Sequence, residues 1–289
     1  MAYAAAMQMM ARLTASAEAL AALGARMRAD AEGIPLDPAI ESALDGVLVE
    51  LGIELAALQP AERSTVALFA RAFLRQAVDL IDHPECSPGW AYEDDVVLLS
   101  LGRGSAAIAD AMAEVSVLDD ALSRPGAILL DVGAGVAALS VSLCARWPGL
   151  RVVGLEPWPP ALAHARRTIA GYEDRIELRE QRVEELTDAR SYDVVWLSTP
   201  FIAPEILPVA LLRVFDALKP GGHVIFGMYA GPPDPLSQRL VDLRTTRSGG
   251  AVATEAEATA ALTAAGFESA REVERVWAAP VRLVVGTRG

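Results

Sequence analysis

The sequence predicts an α/β protein: a doubly wound, mostly parallel, seven-stranded sheet preceded by an all-helical segment. Three observations carry this. Residues 1–88 show only helical periodicity. From Ile128 onward, short β-branched runs alternate with helical stretches, the mark of a parallel sheet with right-handed crossovers. The chain then ends in two strand-like runs close enough to form an antiparallel hairpin.

The first helix is expected over residues 4–28, rich in Ala, Met and Leu, with Gly33-Ile34-Pro35 as its breaker. Asp37-Pro38 caps a second helix through about Leu58, and Pro60 opens a third to about Asp82. The turn-rich linker His83–Gly89 places the boundary between a helical domain, 1–88, and a sheet domain, 89–289. Two shorter helices are expected at about 93–101 and 106–115, separated by Gly102 and Gly104 and capped by Ser105. Strands follow near 127–131, 151–156, 175–179, 192–198 and 222–228. Helices fall near 136–147, 159–170, 204–217, 234–247 and 254–265, and the final hairpin near 269–277 and 281–285.

Composition narrows the functional classes. With 53% hydrophobic residues the chain is globular rather than disordered. Cys86 and Cys144 are the only cysteines, in no zinc-like spacing, so no metal site is expected and a reducing cytoplasm fits. The apolar opening Met1–Met10 lacks a basic flank and is interrupted by Arg12 and Glu18, unlike a secretory signal. No apolar run approaches the ~20 uncharged residues of a membrane span. A net charge of −13 without a basic stripe argues against nucleic-acid partners.

The chemistry-bearing motif is Leu130-Asp131-Val132-Gly133-Ala134-Gly135-Val136-Ala137-Ala138, a glycine turn feeding the first crossover helix. Such a turn lets backbone approach a ligand and presents helix N-terminal amides to it. The next strand ends in Glu156, where a carboxylate can accept both hydroxyls of a ribose. Together they indicate a nucleoside cofactor. The spacing Gly133-x-Gly135-x-x-Ala138 also fits a nicotinamide dinucleotide, but Asp131 would face the pyrophosphate unfavourably. S-adenosylmethionine (SAM), with a sulfonium and an α-ammonium, suits that carboxylate.

These residues resemble the class I SAM-dependent methyltransferase family, whose first motif is acidic-x-Gly-x-Gly-x-Gly and whose second strand ends in an acidic residue. The resemblance extends to Tyr192-Asp193-Val194-Val195-Trp196, to Leu218-Lys219-Pro220-Gly221-Gly222 and to Ala265-Gly266-Phe267, spanning about 125–289. It implies a Rossmann-like domain binding SAM through Asp131, Gly133, Gly135, Ala137, Glu156, Pro157, Trp158, Arg182, Val183 and Ser198. Two positions depart from the pattern. Ala137 stands where a third glycine is common, and Arg182 where an acidic residue usually meets the adenine amino group. Backbone near Val183 and apolar contact from Pro157 and Trp158 are then expected to hold the adenine, although Trp158 equally fits a packed aromatic.

The loops after strands four and five, 198–202 and 228–233, lie where ligands bind in open α/β sheets. Trp90, Tyr92, Phe201, Met228 and Tyr229 are therefore the substrate-wall candidates. The 198–202 loop lacks the Asn/Asp-Pro-Pro-aromatic motif of nucleic-acid methyltransferases, so the expected reaction is O-methylation of a small molecule, in secondary metabolism. Methyl transfer obliges no dedicated base, and catalytic residues stay open, with Tyr92, Tyr229 and His83 as candidates. His223 is expected to be a hydrogen-bonded core histidine and His164 an outward-facing one. The helical segment resembles those through which small-molecule methyltransferases dimerise or cap their pockets. Two other readings stand beside this one: an NAD(P)-dependent oxidoreductase, and a SAM-binding protein that transfers no methyl group.

Overall fold

The structure is a computed structural model that describes residues 2–289. The chain divides into two compact units: one holds the residues up to Cys86 with Asp94–Leu101, the other Ser87–Glu93 with Gly102–Gly289.

The first unit is helical. α1 (Ala2–Glu32), α2 (Pro38–Glu50) and α3 (Pro60–Asp82) surround a small core of Met27, Leu48 and Ala67, and the start of α4 (Asp95–Ala106) belongs to the same unit. Asp37 caps α2 by accepting the Ala39 amide at 2.8 Å, with Pro38 preset for the first turn. α2 ends eight residues before the expected Leu58. Gly52 takes φ +68°, and the Ile53 and Gly52 amides bond back to Leu48 and Val49, closing the helix with a left-handed glycine. Residues 55–57 form only a 3₁₀ turn. α1 packs closely on α3, since a Cβ on Gly24 would lie 2.8 Å from that of Ala70. The first half of α1 is exposed, including Tyr3, Met7, Met9, Met10 and Leu13.

The second unit carries β1 (Ile128–Val132), β2 (Arg151–Leu155), β3 (Ile176–Arg179), β4 (Tyr192–Ser198), β5 (Leu218–Tyr229), β6 (Glu268–Val273) and β7 (Val281–Thr287). They form one sheet in the order β3-β2-β1-β4-β5-β7-β6, with β7 antiparallel to both neighbours. α5 (Ile108–Ala113), α6 (Ser116–Leu122), α7 (Ala138–Arg146) and α8 (Pro159–Thr168) build the core on one face of the sheet. α9 (Leu207–Ala217) and α11 (Glu255–Ala264) build it on the other, and α10 (Pro235–Arg247) follows β5. Strand order reverses between β1 and β4, the switch point at which open α/β sheets take ligands.

Three local expectations need correction. α4 continues through Gly102 and Gly104 instead of breaking there. Gly102 meets a packing demand, because a Cβ would fall 2.0 Å from Val136 Cγ2. α6 was not expected at all; it buries Leu118, Ala121 and Leu122 in seven residues, too few for a periodic signal. β5 starts at Leu218, ahead of the predicted 222, with a register shift opposite Tyr192/Val194 that admits Lys219–Gly222. The stretch Asp95–Ala113 has the length and apolarity of a membrane span; 44% of that window is buried inside the protein, and Asp95, Arg103 and Asp110 interrupt it.

Two glycines, one inside α2 and one just past its end, separate conformational cost from packing. Gly46 lies inside the helix, where an added Cβ meets nothing within 4 Å. Gly46→Ala is expected to stabilise the chain by about 0.5–1 kcal/mol and Gly52→Ala to destabilise it by about 1 kcal/mol, read as opposite shifts in urea midpoint. Equal shifts would contradict the cap assignment.

Candidate active site

β1 delivers Asp131 to the switch point fully buried, and burial pushes its carboxyl up to about 6. Ser140 Oγ in the first turns of α7 donates to Asp131 Oδ2 at 2.6 Å, which opposes that rise only in part. Asp131 Oδ1 has no hydrogen-bond partner among the described residues. A buried carboxylate oxygen left unmatched calls for a donor, preferably a cationic one.

The loop after Asp131 turns through Gly133 (φ +77°) and Gly135 (φ +57°). The amides of Gly133 and Ala134 both donate to the Leu155 carbonyl at 2.9 Å, tying the loop to the end of β2. A Cβ on Gly135 would meet nothing within 4 Å, so the backbone there borders open space. Ala137 also adopts a left-handed conformation (φ +60°) as the N-cap of α7, which explains why glycine is common at this place in the motif.

Glu156 is nearly buried beyond β2, with Oε2 accepting the Gly135 amide and Oε1 the Trp158 amide, each at 2.7 Å. Burial is the main cause that pushes its carboxyl up to about 7; the two amides oppose it and the Asp131 charge adds to it. Pro157 is exposed. Trp158 is half-buried and its indole Nε1 donates to the Tyr92 carbonyl at 2.8 Å. Ser198 ends β4, its Cβ 4.0 Å from where one on Gly133 would stand. Val183 is buried at the start of a 3₁₀ turn. The Arg182 side chain is exposed, with Glu184 3.9 Å away.

Four of the five proposed wall residues form one aromatic array. Trp90 meets Tyr92 at 4.9 Å and Phe201 at 5.1 Å between ring centroids, and Phe201 meets Tyr229 at 6.1 Å, all edge-on. Met228 is packed into the core on the α9 face. The Ser87–Glu93 strap is tied down at both ends. Gly89 donates to the Arg247 carbonyl, and Tyr92 Oη accepts from Arg247 Nη2 at 2.9 Å. Tyr92 is bonded beyond β2 and Trp90 stacks beyond β4, two strands or ~10 Å away. The strap therefore crosses above the carboxyl end of β1.

Tyr229 has its phenol pushed up to about 12 by burial, against a hydrogen bond from Ser248 and the charge of Arg244. It stays protonated at neutral pH. His83 lies in the first unit, exposed, 3.7 Å from Glu85. His223 Nδ1 lies 3.1 Å from Thr287 Oγ1 within the sheet, its pKa lowered by burial and by Arg124 and Arg271. His164 lies 3.2 Å from Arg167 on α8. Sequence reasoning missed Ser140, whose only signal is a polar residue on the core face of α7. It also missed Arg247, 155 residues from Tyr92, for which local sequence holds no signal. Among the described residues no group of three or more His, Cys, Asp or Glu could hold a metal ion.

Residues 129–222, which contain the glycine loop, Glu156 and β4, match the family model described as a methyltransferase domain. Over that stretch, about a third of its length, the chain is similar to a methyltransferase domain. It is 32% identical over 157 residues to a demethylmenaquinone methyltransferase of Clavibacter sepedonicus, covering 53% of this chain and 59% of that one. It is 36% identical over 74 residues to ribosomal RNA small subunit methyltransferase H of a Parafrankia species, covering 26% of this chain and 23% of that one. The chain thus spans under two thirds of the length of either relative. In fold it resembles human N-acetylserotonin methyltransferase in complex with SAM, with a TM-score of 0.68 at 16% identity over 98% of both chains.

The charge balance at the carboxyl ends of β1 and β2 predicts a pH signature in the protein. Asp131 and Glu156 have folded values above their unfolded ones, so the native state holds more protons between about pH 4 and 7. Their contribution to stability is present below the unfolded values and is lost as pH rises through the folded ones. Asp131→Asn keeps an acceptor for Ser140 and removes the charge. A rise of about two units corresponds to about 3 kcal/mol, so at pH 8 the variant is expected to unfold at clearly higher urea than the parent, with the gap closing toward pH 5. A constant gap across that range would refute the assignment.

Proposed function

We propose that the chain is a SAM-dependent methyltransferase acting on a small molecule, by O-methylation and in secondary metabolism. The observation that carries the reading is the unmatched Asp131 Oδ1 beside an open glycine backbone and the Glu156 carboxylate. These groups fit SAM: Asp131 would take the α-ammonium, Glu156 the ribose hydroxyls, and Gly133 and Gly135 would admit the cofactor against bare backbone. A pyrophosphate would instead face two carboxylates, which speaks against a nicotinamide dinucleotide. Near the adenine position the Arg182 guanidinium is exposed, which leaves the buried Val183 and its backbone for that contact.

When bound, SAM supplies an electrophilic methyl group on a sulfonium. The protein's share is positioning and exclusion of water. Trp90, Tyr92, Phe201 and Tyr229 offer an aromatic wall next to the cofactor loop, against which an acceptor oxygen can be held in line. The Tyr229 phenol acts there as a hydrogen-bond donor, while Tyr92 remains the candidate for handling a proton. The net charge of −13 and the aromatic character of the wall favour a small acceptor over a nucleic acid. Two unpaired cysteines accord with a cytoplasmic setting.

The carrying test is calorimetric and thermal-shift titration with S-adenosylhomocysteine, with NAD and NADP in parallel. At a hundredfold excess over Kd the homocysteine product is expected to add about 2.7 kcal/mol. Asp131→Ala and Gly135→Val should abolish the shift. A response to the nicotinamide cofactors alone would overturn the reading, and product binding without transfer to any hydroxylated acceptor would leave a SAM-binding protein.

We also propose that the helical segment 1–88 pairs two copies through the exposed apolar half of α1 (Tyr3, Met7, Met9, Met10, Leu13). Light scattering should then give twice the 30.5 kDa chain mass. A Met10→Glu, Leu13→Glu double variant should return to one copy with the product shift intact. A parent that stays single at high concentration rules the pairing out.

A further inference from the structure

At the amino end of β4, the edge of the sheet opposite the active site, lies a cavity of about 310 Å³. Its lining includes Thr187, Asp188, Arg190, Arg213, Asp216 and Arg288, so three arginines come to it from three separate segments: the loop before β4, helix α9 and the chain end after β7. Among the described residues, none of the three lies in an ion pair with a carboxylate, in a chain that carries 38 acidic side chains. Of the two acids in the lining, Asp188 is engaged by Arg179 at 2.9 Å, and Asp216 stands in no ion pair among the described residues.

The carboxyl end of α9 accounts for part of this arrangement. Arg288 Nη1 donates to the carbonyls of Asp216 and Leu218, and its guanidinium lies 4.8 Å from the centre of the Phe215 ring, as expected where a helix dipole ends. Arg213 uses only Nε, toward the Glu184 carbonyl, which leaves its outer nitrogens available. Arg190 is less explicable by the fold. Its backbone sits in the left-handed region at φ +50°, a strained place for a residue with a β-carbon. The amides of Arg190 and Ser191 pin it there by donating to the carbonyls of Asp216 and Ala217. Glycine would serve that turn better, and among the described residues the side chain that is kept makes no hydrogen bond or ion pair.

We propose that this cavity binds a small molecule carrying a phosphate group. Guanidinium forks match oxyanions: Arg190 and the outer nitrogens of Arg213 can meet a phosphate directly, and Arg288, whose Nη1 is held by two carbonyls, adds its charge beside them. The volume sits at the lower end of the range for small-ligand pockets, larger than a bare ion needs. Six residues of β4, Tyr192–Leu197, separate the cavity from Ser198, ~20 Å at strand spacing. The ligand is therefore neither SAM nor the methyl acceptor, and this site stands whether or not the reading of the active site does.

The test uses the full chain at constant ionic strength, titrated with ribose 5-phosphate, inorganic phosphate and ribose. Ribose 5-phosphate should raise Tm saturably and give a calorimetric isotherm, while ribose does neither. Arg190→Gly, which removes the guanidinium and relieves the backbone, and Arg213→Gln should each weaken binding at least tenfold without changing the response to S-adenosylhomocysteine. Arg190→Gly should itself melt no lower than the parent, which separates loss of ligand from loss of fold. Inorganic phosphate binding as well as the ester would support the site with the free anion as its source. An isotherm absent for both phosphates, or unchanged in the two variants, would overturn the proposal.

Discussion

The Glu156 carboxylate, shared between the Gly135 and Trp158 amides, is the interaction on which the carboxyl edge of the sheet depends. Its Oε2 contact draws the glycine loop that follows β1 against the end of β2, and its Oε1 contact sets the first turn of α8. Hydrogen bonds to an ionised acceptor are worth roughly 1.5–3 kcal/mol each, and here they offset part of the cost of burying a charge. Without that anchor the loop would have only the Leu155 carbonyl to hold its two left-handed glycines. The position of Asp131 and the start of α7 follow from the same fixed loop.

The second organising element is the strap. Ser87–Glu93 is short, yet Gly89, Trp90 and Tyr92 are held by partners after β2, after β4 and at the end of α10. Close approach to the end of α10 requires glycine at 249, where a Cβ would lie 3.1 Å from Gly89 Cα. Trp158 links the parts, since its main chain serves Glu156 and its ring serves the strap. The group that would hold the ribose and the residues that would face the acceptor are thus two hydrogen bonds apart.

Much of this was legible in sequence because it is local. The Asp131–Gly135 turn, Glu156 at a strand end and the alternation of strand and helix each lie within a few residues of their structural cause, and the mostly parallel sheet with a terminal antiparallel hairpin appears as read, although β6 stops at Val273 instead of 277. What escaped is non-local or depends on volume. Gly102 reads as a helix breaker until Val136 is seen against it, α6 is too short to show a period, and Arg247 finds Tyr92 only through the fold. The aromatic array was legible as four candidates, but its continuity is a property of tertiary packing. The Arg190 turn gave no sequence signal, because an arginine before a strand looks like an ordinary solvated residue.

The buried, half-satisfied Asp131 has a consequence for the life of the chain as well as for ligand choice. A native state that carries an unmatched charge in its centre opens more often than its packing alone would dictate, and proteases and chaperones sample such openings. Any cation that completes the site suppresses them. The amount of this protein in a cell would therefore track the supply of its ligand: a polypeptide that is spared when the small molecule is plentiful and cleared when it is scarce, with no dedicated sensor.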